Sequence, residues 1–498
     1  MQFNSYFFIM FFLPMCVIGY YFLSWIRPSI GLMYLLGMSL WFYGYFNKYY
    51  LVLIIGSIVV NFFLSKIMEY YDSYMKKIAL FIGIAFNIGI IFYFKYYDFF
   101  IENVNQLFHA DFGLKHILLP LGISFFTFQQ LSYVLDSYTG KTARNYSFIE
   151  YALFVTFFPQ LVAGPIVLHD ELIPFFRSEA IKKINFENLV HGVIMFTLGL
   201  FKKVMIADIL GKMVAWGFDN VELATSMDLI LVMLAYTFQI YFDFSGYSDM
   251  AIGIGWMFNF KLPTNFNSPY KAYSIIDFWK RWHMTLTRFL RTYIYFPLGG
   301  SKKGTVRTYI NTIIVFLVSG IWHGANYTFI LWGGLHGMAQ CVNRFMKKQY
   351  EMWHPVIQWG ITFIFLNFTW LLFRADSLRQ WKVMCKKIIS LDSLQVSTQL
   401  MNQVSLPELN YLYAHTRLGW INNHITGFTM WFLISGCFWL VLNCANNQER
   451  LWKADIASLI SIPILLVWCL VSLGSISVFC ISIFRGKLCR QKSGLQFL

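Results

Sequence analysis

The sequence predicts an all-α polytopic membrane protein with about ten to twelve transmembrane or re-entrant helices, interfacial amphipathic helices and a central tunnel or funnel. Of its 498 residues, 58% are hydrophobic and only 13% are charged, and its mean hydropathy is positive. Soluble domains do not have this composition, whereas membrane proteins with many spans do. Long uncharged runs of the length that crosses a bilayer as a helix support the same fold class.

The net charge is +15. In so apolar a chain, the cations are better explained as markers of cytoplasmic loops than as a nucleic-acid surface. We therefore expect a lipid bilayer, and no nucleic acid, around the protein. The eight cysteines form no Cys-x-x-Cys pair, which argues against disulfides and metal ligation.

The hydrophobic runs follow one another along the whole chain. The first, residues 1–26, has no charge and no small-residue cleavage site, so we expect a retained span and not a signal peptide. Runs that reach or approach spanning length are 1–26, 28–47, 49–65, 78–94, 117–135, 151–169, 308–343, 355–373, 418–448 and 456–484, with shorter ones at 188–201 and 229–242. We expect one integral membrane domain over residues 1–498, with C-terminal helices at 418–484, a basic tail at 485–498 and a polar loop with an amphipathic piece at 374–417.

Two of these sections do not look like simple spans. Residues 119–130 and 157–165 place Pro, Gly and amide side chains within apolar sequence. Irregular backbone at membrane depth is tolerated where protein buries it or where it lines a cavity. These sections therefore either pack helices together or form the wall of a substrate tunnel.

Two carboxylates, Asp243 and Asp249, lie in the apolar stretch 241–250. Six residues on a helix correspond to about 240° of rotation, so the two do not share a face and are not a paired acid and base. Structural carboxylates that accept hydrogen bonds from Tyr, Ser or backbone groups are favoured. A proton-coupled transporter or flippase is the alternative class, because intramembrane acids suit such a carrier.

Residues 261–307 are strongly basic, with Asp277 as the only acid. The positive-inside rule makes this segment cytoplasmic. Ser274-Ile-Ile-Asp277 has the form of a capping box and predicts a helix that runs to about Leu290. On that helix Arg281 and Arg288 fall on one stripe, and the opposite side carries Trp279, Trp282 and His283.

This pattern predicts an interfacial amphipathic helix with His283 on its membrane-facing side. The arginines either anchor anionic lipids or form a basic rim for a phosphorylated donor.

Two histidines, His323 and His336, lie in the uncharged run 308–343, and each is followed by Gly. A titratable ring in apolar surroundings is costly and is therefore a functional candidate. If residues 324–326 turn the chain, His323 lies deep in the membrane and His336 returns to mid-depth; otherwise the run is one long tilted helix. In both cases the two rings are not paired, and no acid or Cys stands at metal spacing, so no metal site is expected.

Two motifs now make the chain recognisable. Asp277-Phe-Trp-Lys-Arg-Trp-His283, followed later by Trp322-His-Gly324, resembles the membrane-bound O-acyltransferase (MBOAT) family, and more closely its bacterial alginate O-acetyltransferase branch. Counterparts in that branch exist for residues 119–130, 157–165, 241–249, 281–300 and 319–337. The resemblance extends over a core of about residues 1–376.

The resemblance implies transfer of an acyl group, most often acetyl, from a thioester donor to a hydroxyl. Acetyl-CoA or an acyl carrier protein would be the co-substrate, without a tightly bound cofactor. His323 occupies the position of the family's hallmark histidine and is expected to be the general base. His283 occupies a second polar position and is expected to act at the donor thioester, as a hydrogen-bond donor or second polar group.

Further residues are expected to contact substrate or donor: Trp279, Arg281, Trp282, Arg288, Trp322, Asn326 and His336. In the bacterial export branch, a separate extracytoplasmic acyltransferase or esterase-like protein often completes transfer to a polysaccharide. The resemblance thus implies O-acetylation of an exported or cell-surface polysaccharide by a multi-pass protein of the bacterial cytoplasmic (inner) membrane. Transfer of D-alanine to teichoic acid is the alternative within the family.

Overall fold

The chain folds entirely into helices and their connections in the part that the structure describes. The structure is a computed structural model, and it describes all residues except 72, 143–144, 163, 179–182, 405–424, 448, 450–455 and 474–498. No strand occurs among the described residues, so the predicted all-α class is confirmed. The basic tail predicted at 485–498, and parts of the helices predicted at 418–484, lie outside the described residues.

The N-terminal half contains nine helices before residue 180 among the described residues. They are α1 (Leu13–Ile26), α2 (Pro28–Gly44), α3 (Lys48–Tyr70), α4 (Ser73–Ile91), α5 (Tyr97–Phe108), α6 (Ile123–Thr139), α7 (Phe148–Thr156), α8 (Phe158–Leu161) and α9 (His169–Phe176). Wider π-helical turns precede α1 at Phe8–Phe12 and join α4 to α5 at Phe92–Tyr96.

The second half continues in the same manner. The helices described there are α10 (Phe186–Phe201), α11 (Asp208–Asp219), α12 (Ser226–Met257), α13 (Ile275–Arg281), α14 (Met284–Leu290), α15 (Thr305–His323), α16 (Tyr327–Phe345), α17 (Lys347–Glu351), α18 (Pro355–Arg374), α19 (Leu378–Ser390), α20 (Thr398–Met401), α21 (Ile425–Asn443) and α22 (Ile456–Leu473). π-helical turns occur at Lys202–Ala207 and Arg291–Tyr295, and a 3₁₀ turn at Pro269–Lys271.

Six helical stretches within the described ranges are long and apolar enough to cross a membrane, which confirms a multi-pass protein. They are Phe8–Ile26, Lys48–Tyr70, Ser73–Phe108, Ser226–Met257, Thr305–His323 and Pro355–Arg374. Two predicted runs are divided differently. The run 308–343 becomes the two helices α15 and α16, and 151–169 is no span but is split among α7, α8 and α9, because Phe157 leaves helical geometry and Pro159 starts a new helix.

Helix α12 is the central element of the protein. It extends over 32 residues, and most of its side chains are buried. Glycines allow α10 to approach it closely: a Cβ on Gly199 would lie 2.5 Å from the carbonyl oxygen of Gly246, and one on Gly192 would lie 2.6 Å from that of Gly253. The two backbones touch at both places, as is common where small residues line the contact between membrane helices.

Two carboxylates of α12, Asp243 and Asp249, are paired with lysines. Lys203 Nζ lies 2.7 Å from Asp208 Oδ1 and 2.8 Å from Asp243 Oδ1, and Lys202 Nζ lies 2.7 Å from Asp249 Oδ2. Asp243 and Asp249 therefore have structural roles, and each has an ammonium group as a partner, which the sequence did not predict. This pairing disfavours the transporter alternative, which needs carboxylates that exchange protons.

Candidate active site

The helix predicted from Ser274 to Leu290 is broken at His283. Ser274 caps α13 as expected, with its Oγ accepting from the Asp277 amide at 3.1 Å. However, Trp282 is extended and His283 adopts a left-handed conformation with φ of 44°, after which α14 begins. The prediction of one continuous helix was wrong. Asn265, from the preceding loop, supplies the missing backbone partner, because its carbonyl accepts from the Met284 amide at 2.9 Å.

His283 is buried in the protein and does not face the membrane, so that part of the prediction was also wrong. Its side chain is 2% exposed, and its Nδ1 lies 3.0 Å from Asn265 Oδ1. The same oxygen accepts from Thr285 Oγ1 at 2.9 Å. Because Asn265 Oδ1 can only accept, Nδ1 carries the proton, and Nε2 is left with its lone pair. No described residue forms a hydrogen bond to His283 Nε2.

His323 terminates α15, and the chain then turns. Gly324 is extended, and Asn326 caps α16 by accepting from the Thr328 amide at 3.0 Å. Asn326 also donates to the Asp376 carbonyl at 3.0 Å. The turning alternative was therefore right, and the long tilted helix is excluded. Asn326 was expected to contact substrate or donor, but in this structure its side chain holds two chain segments together.

Helices α15 and α16 pack backbone to backbone at a pair of glycines. A Cβ on Gly320 would lie 2.3 Å from the Phe329 carbonyl oxygen, and one on Gly333 would lie 2.3 Å from that of Phe316. Larger side chains would push the helices apart. The close contact fixes the position of the turn that carries His323.

The His323 ring sits in an aromatic enclosure and is still partly exposed. Ring centroids lie 4.8 Å away for Trp322, 5.3 Å for Trp332 and 5.0 Å for Phe373. No hydrogen bond joins either ring nitrogen to another residue within the described part of the chain. A ring with free nitrogens and remaining access to solvent or ligand is what a general base requires.

Trp322 brings the two histidines together. Its ring centroid lies 6.3 Å from that of His283 and 4.8 Å from that of His323. His283 was expected near the cytoplasmic face, with His323 deeper. The structure removes this difference, because the break between α13 and α14 is buried against α12 and Trp322.

The segment 119–130 forms the other side of Trp322. Phe125 and Phe128 pack against the indole at centroid distances of 5.8 and 5.2 Å. Further along the same helix, Gln130 Nε2 donates to Ser57 Oγ at 2.9 Å within a buried polar cluster. The helix-packing interpretation therefore applies to one part of this segment, and the other part borders Trp322; the tunnel wall stays a prediction.

His336 is occupied on both nitrogens. Trp279 Nε1 donates to His336 Nδ1 at 3.2 Å, and His336 Nε2 lies 3.1 Å from Thr369 Oγ1. An indole nitrogen can only donate, so Nε2 carries the proton and donates to the threonine. The ring is 0% exposed. This geometry makes His336 and Trp279 structural partners. The two ring nitrogens of His336 and the indole N–H of Trp279 are therefore not available to a substrate.

Replacing His336 with Ala is expected to destabilise the protein by about 2–4 kcal/mol, because the change opens a cavity and leaves the Trp279 N–H without an acceptor. The turnover number of the folded fraction is expected to stay within about threefold of the wild-type value, since no reacting atom contacts the ring. Thermal unfolding in detergent and the activity of the monodisperse fraction measure the two effects. Loss of turnover at unchanged thermal stability would contradict the structural role.

The two predicted arginines are paired with carboxylates. Arg281 Nε lies 3.0 Å from Asp277 Oδ1. Arg288 binds Glu171 with two nitrogens and also donates to the Ile166 carbonyl at 3.1 Å. They do not share a stripe on one helix, because α13 and α14 are separate, and their charges are already neutralised.

Trp282 is buried and not interfacial. It is 4% exposed and packs against Trp370 at a ring distance of 4.9 Å. Its expected contact with substrate or donor therefore has no support in this geometry.

Two residues of the site were missed from the sequence. Asn265 fixes the His283 tautomer, but a lone Asn in a loop gives no signal of that role. Lys95 donates through Nζ to the Trp322 carbonyl and, at 3.3 Å, to Ser124 Oγ. A lysine directly after the apolar run 78–94 was a usable signal, because a cation at such a position is costly. Among the described residues, no cluster of His, Cys, Asp or Glu could hold a metal ion.

Fold and site together define a class: a polytopic helical membrane protein whose polar centre is a pair of histidines on either side of a buried tryptophan. The chain belongs to the membrane-bound O-acyltransferase family. The model of that family, described as MBOAT, membrane-bound O-acyltransferase family, matches residues 141–378. That range contains His283, Trp322 and His323, and the protein is therefore an O-acyltransferase.

Several relatives are similar over most of the chain. The peptidoglycan O-acetyltransferase of Helicobacter pylori is 41% identical over 443 residues, covering 81% of this chain and 84% of the relative. The probable alginate O-acetylase of Pseudomonas aeruginosa is 37% identical over 417 residues, covering 82% and 78%. The teichoic acid D-alanyltransferase of Bacillus subtilis is more distant, at 28% identity over 269 residues, covering 51% and 68%.

Proposed function

We propose that this protein transfers an acetyl group from a cytoplasmic thioester donor to a hydroxyl, for O-acetylation of an exported or cell-surface polysaccharide. We place it in the bacterial cytoplasmic (inner) membrane. The observation that carries the proposal is the His323 ring, which is partly exposed and has no hydrogen-bond partner among the described residues, close to the buried His283 across Trp322. The names of the peptidoglycan and alginate relatives support acetyl transfer to a polysaccharide.

The basic segment 261–307 supports an orientation in which this part of the chain faces the cytoplasm. With Arg307 near the cytoplasm, the 19 residues of α15 rise about 28 Å and carry His323 toward the opposite face. We propose a funnel in which a cytoplasmic donor reaches Trp322 from one side and the acceptor enters from the other. This arrangement requires a passage through the protein, and the predicted tunnel would provide it.

In the reaction, His323 acts as general base. It takes the proton of the acceptor hydroxyl while the hydroxyl oxygen forms a bond to the thioester carbonyl carbon. The carbon–sulfur bond then breaks, and the departing thiolate recovers the proton from the His323 imidazolium. His283 is the second polar group at the donor. In the neutral tautomer set by Asn265, its Nε2 accepts a hydrogen bond and cannot donate one.

The basic residues proposed to contact the donor are not the two arginines expected from the sequence. Arg281 and Arg288 are neutralised by carboxylates, whereas Lys302 and Lys303 are exposed and have no carboxylate partner in the described part of the chain. We propose that this lysine pair attracts the phosphates of acetyl-CoA or an acidic acyl carrier protein.

Replacing Lys302 and Lys303 together with Ala is expected to raise the KM for the donor about three- to tenfold at low ionic strength, with little change in kcat, because the charges act on the approach of the donor. The difference should shrink as salt is added. Steady-state kinetics across a salt series measure it, with Lys386→Ala on the exposed face of α19 as the control. An unchanged KM at low salt would exclude this surface as the donor contact.

The donor and acceptor can be tested with purified protein in lipid nanodiscs. Labelled acetyl thioesters, on coenzyme A and on a carrier protein, would be offered beside an alanyl carrier thioester, together with polysaccharide acceptor. We expect acetyl transfer and no alanyl transfer. Preferential alanyl transfer would favour D-alanylation of teichoic acid, the alternative supported by the Bacillus subtilis relative.

We also propose that an extracytoplasmic acyltransferase or esterase-like protein completes the transfer to the polysaccharide. The position of His323, at the end of α15 opposite Arg307, suits a hand-over on that side. Comparison of exported glycans by mass analysis, with and without this protein and then without the partner, tests the arrangement. Normal acetylation of the glycans in a strain that lacks this protein would overturn the function.

A further inference from the structure

Lys95 is a cation inside a helical stretch that is apolar enough to cross the membrane, Ser73–Phe108. It lies in the π-helical turn Phe92–Tyr96. No described carboxylate forms an ion pair with it. An ammonium group in this setting is costly, so it is expected to serve a purpose, and π-helical turns are frequently found at functional sites.

The π-helical turn holds the end of α15. Lys95 Nζ donates to the carbonyl of Trp322, and the hydroxyl of the next residue, Tyr96, donates to the carbonyl of Ile321 at 2.5 Å. Two successive side chains therefore bind two successive carbonyls immediately before His323. The peptide group that Lys95 holds is the one that joins Trp322 to His323.

A structural role explains part of this arrangement. The last carbonyls of a helix lack partners within the helix and carry partial negative charge, so a lysine is a suitable cap. That role uses one N–H of the ammonium, and Ser124 Oγ at 3.3 Å accepts a second. An ammonium has three donors. The third has no hydrogen-bond partner within the described ranges, although the group lies beside the site.

The proposed reaction leaves one role unfilled. As the acceptor oxygen adds to the thioester carbonyl carbon, the carbonyl oxygen becomes an oxyanion, which needs a hydrogen-bond donor. His283 cannot be that donor in its neutral form, because its Nδ1 proton is held by Asn265 and its Nε2 has none. His323 is occupied with the proton of the acceptor.

We propose that Lys95 is a catalytic residue that stabilises this oxyanion through its remaining N–H, while its bond to the Trp322 carbonyl keeps the ammonium beside His323. The inference rests on the proposed acyl transfer. The electron pair of the carbonyl moves onto its oxygen as the new carbon–oxygen bond forms. It returns when the carbon–sulfur bond breaks, so Lys95 supplies charge and keeps its proton throughout.

The test compares Lys95→Gln with Lys95→Arg in purified protein supplied with acetyl-CoA and acceptor. Glutamine can still donate to the Trp322 carbonyl but has no charge, whereas arginine retains the charge. We expect Lys95→Gln to lower kcat about 10²–10³-fold, with the donor KM within about threefold of wild type, because the oxyanion exists only after binding. The kcat of Lys95→Arg is expected to be at least tenfold higher than that of Lys95→Gln.

The control is Lys115→Gln. Lys115 is exposed and lies over the rings of Tyr93 and Tyr97 near the same π-helical turn. The kcat of the Lys115→Gln variant should stay within about twofold of wild type, as is usual for surface changes. An active wild type with an equally active Lys95→Gln variant would overturn the role of Lys95 and leave acyl transfer intact. Equal losses in Gln and Arg would show that a charge at this position does not restore catalysis and would overturn the oxyanion role, whereas a wild type without transfer to any acceptor would remove the proposed function itself.

Discussion

Replacing His323 with Ala is expected to lower acyl transfer about 10³-fold or more, within the range measured for loss of a general base. The ring makes no hydrogen bond in the described part of the chain, so the change leaves no buried donor or acceptor unpaired. Its contacts are ring contacts, mainly with Trp322, Trp332 and Phe373. A His323→Phe variant keeps these contacts without a basic nitrogen and should be equally inactive.

The measurement is labelled acetyl product per monodisperse protein, with KM determined separately. His109→Asn is the matched control, because His109 is exposed and adopts a left-handed conformation that Asn tolerates. It should retain wild-type activity. Wild-type product from either His323 variant would remove this residue from the mechanism, and restored activity in the Phe variant alone would indicate a packing role.

The three histidines show that a sequence can identify candidate functional residues but cannot always rank them. His283, His323 and His336 all stand in apolar sequence and all are candidates on grounds of burial cost. Their hydrogen bonds separate them: His336 has partners for both nitrogens, His283 for one, and His323 for none that the structure describes. Those partners are Trp279, Thr369 and Asn265, which come from distant parts of the chain, so no local pattern could have revealed the order.

The membrane character and several of the spans were predictable because hydrophobicity acts locally. The turn at 324–326 was one of two alternatives that the sequence left open. The break at His283 was not predictable, because local propensity favours a helix through residues 274–290. That propensity is overridden by Asn265, which lies 18 residues earlier and supplies the backbone and side-chain bonds that the break requires. A capping box predicts where a helix begins and says nothing about where tertiary contacts end it.

The second large effect concerns stability. Lys203→Met is expected to destabilise the fold by about 3–5 kcal/mol, because it removes the partner of two buried carboxylates. Lys203 is 2% exposed and bridges Asp208 on α11 to Asp243 on α12. Without the ammonium, two carboxylates remain in a low-dielectric interior and either repel each other or must take up protons.

This cost arises from buried negative charge that has lost its ammonium and not from lost packing, and the two causes can be separated. Adding Asp208→Asn and Asp243→Asn to Lys203→Met removes the charges and should restore most of the monodisperse yield and thermal stability, since apolar or neutral replacement of a whole buried ion cluster is often tolerated. Lys212→Met, a partly exposed lysine on α11, should change stability by less than about 1 kcal/mol. Wild-type stability of Lys203→Met alone would mean that these carboxylates are held neutral in the folded protein. In that case the transporter interpretation of Asp243 would regain its physical basis, because a neutral intramembrane acid is able to exchange a proton.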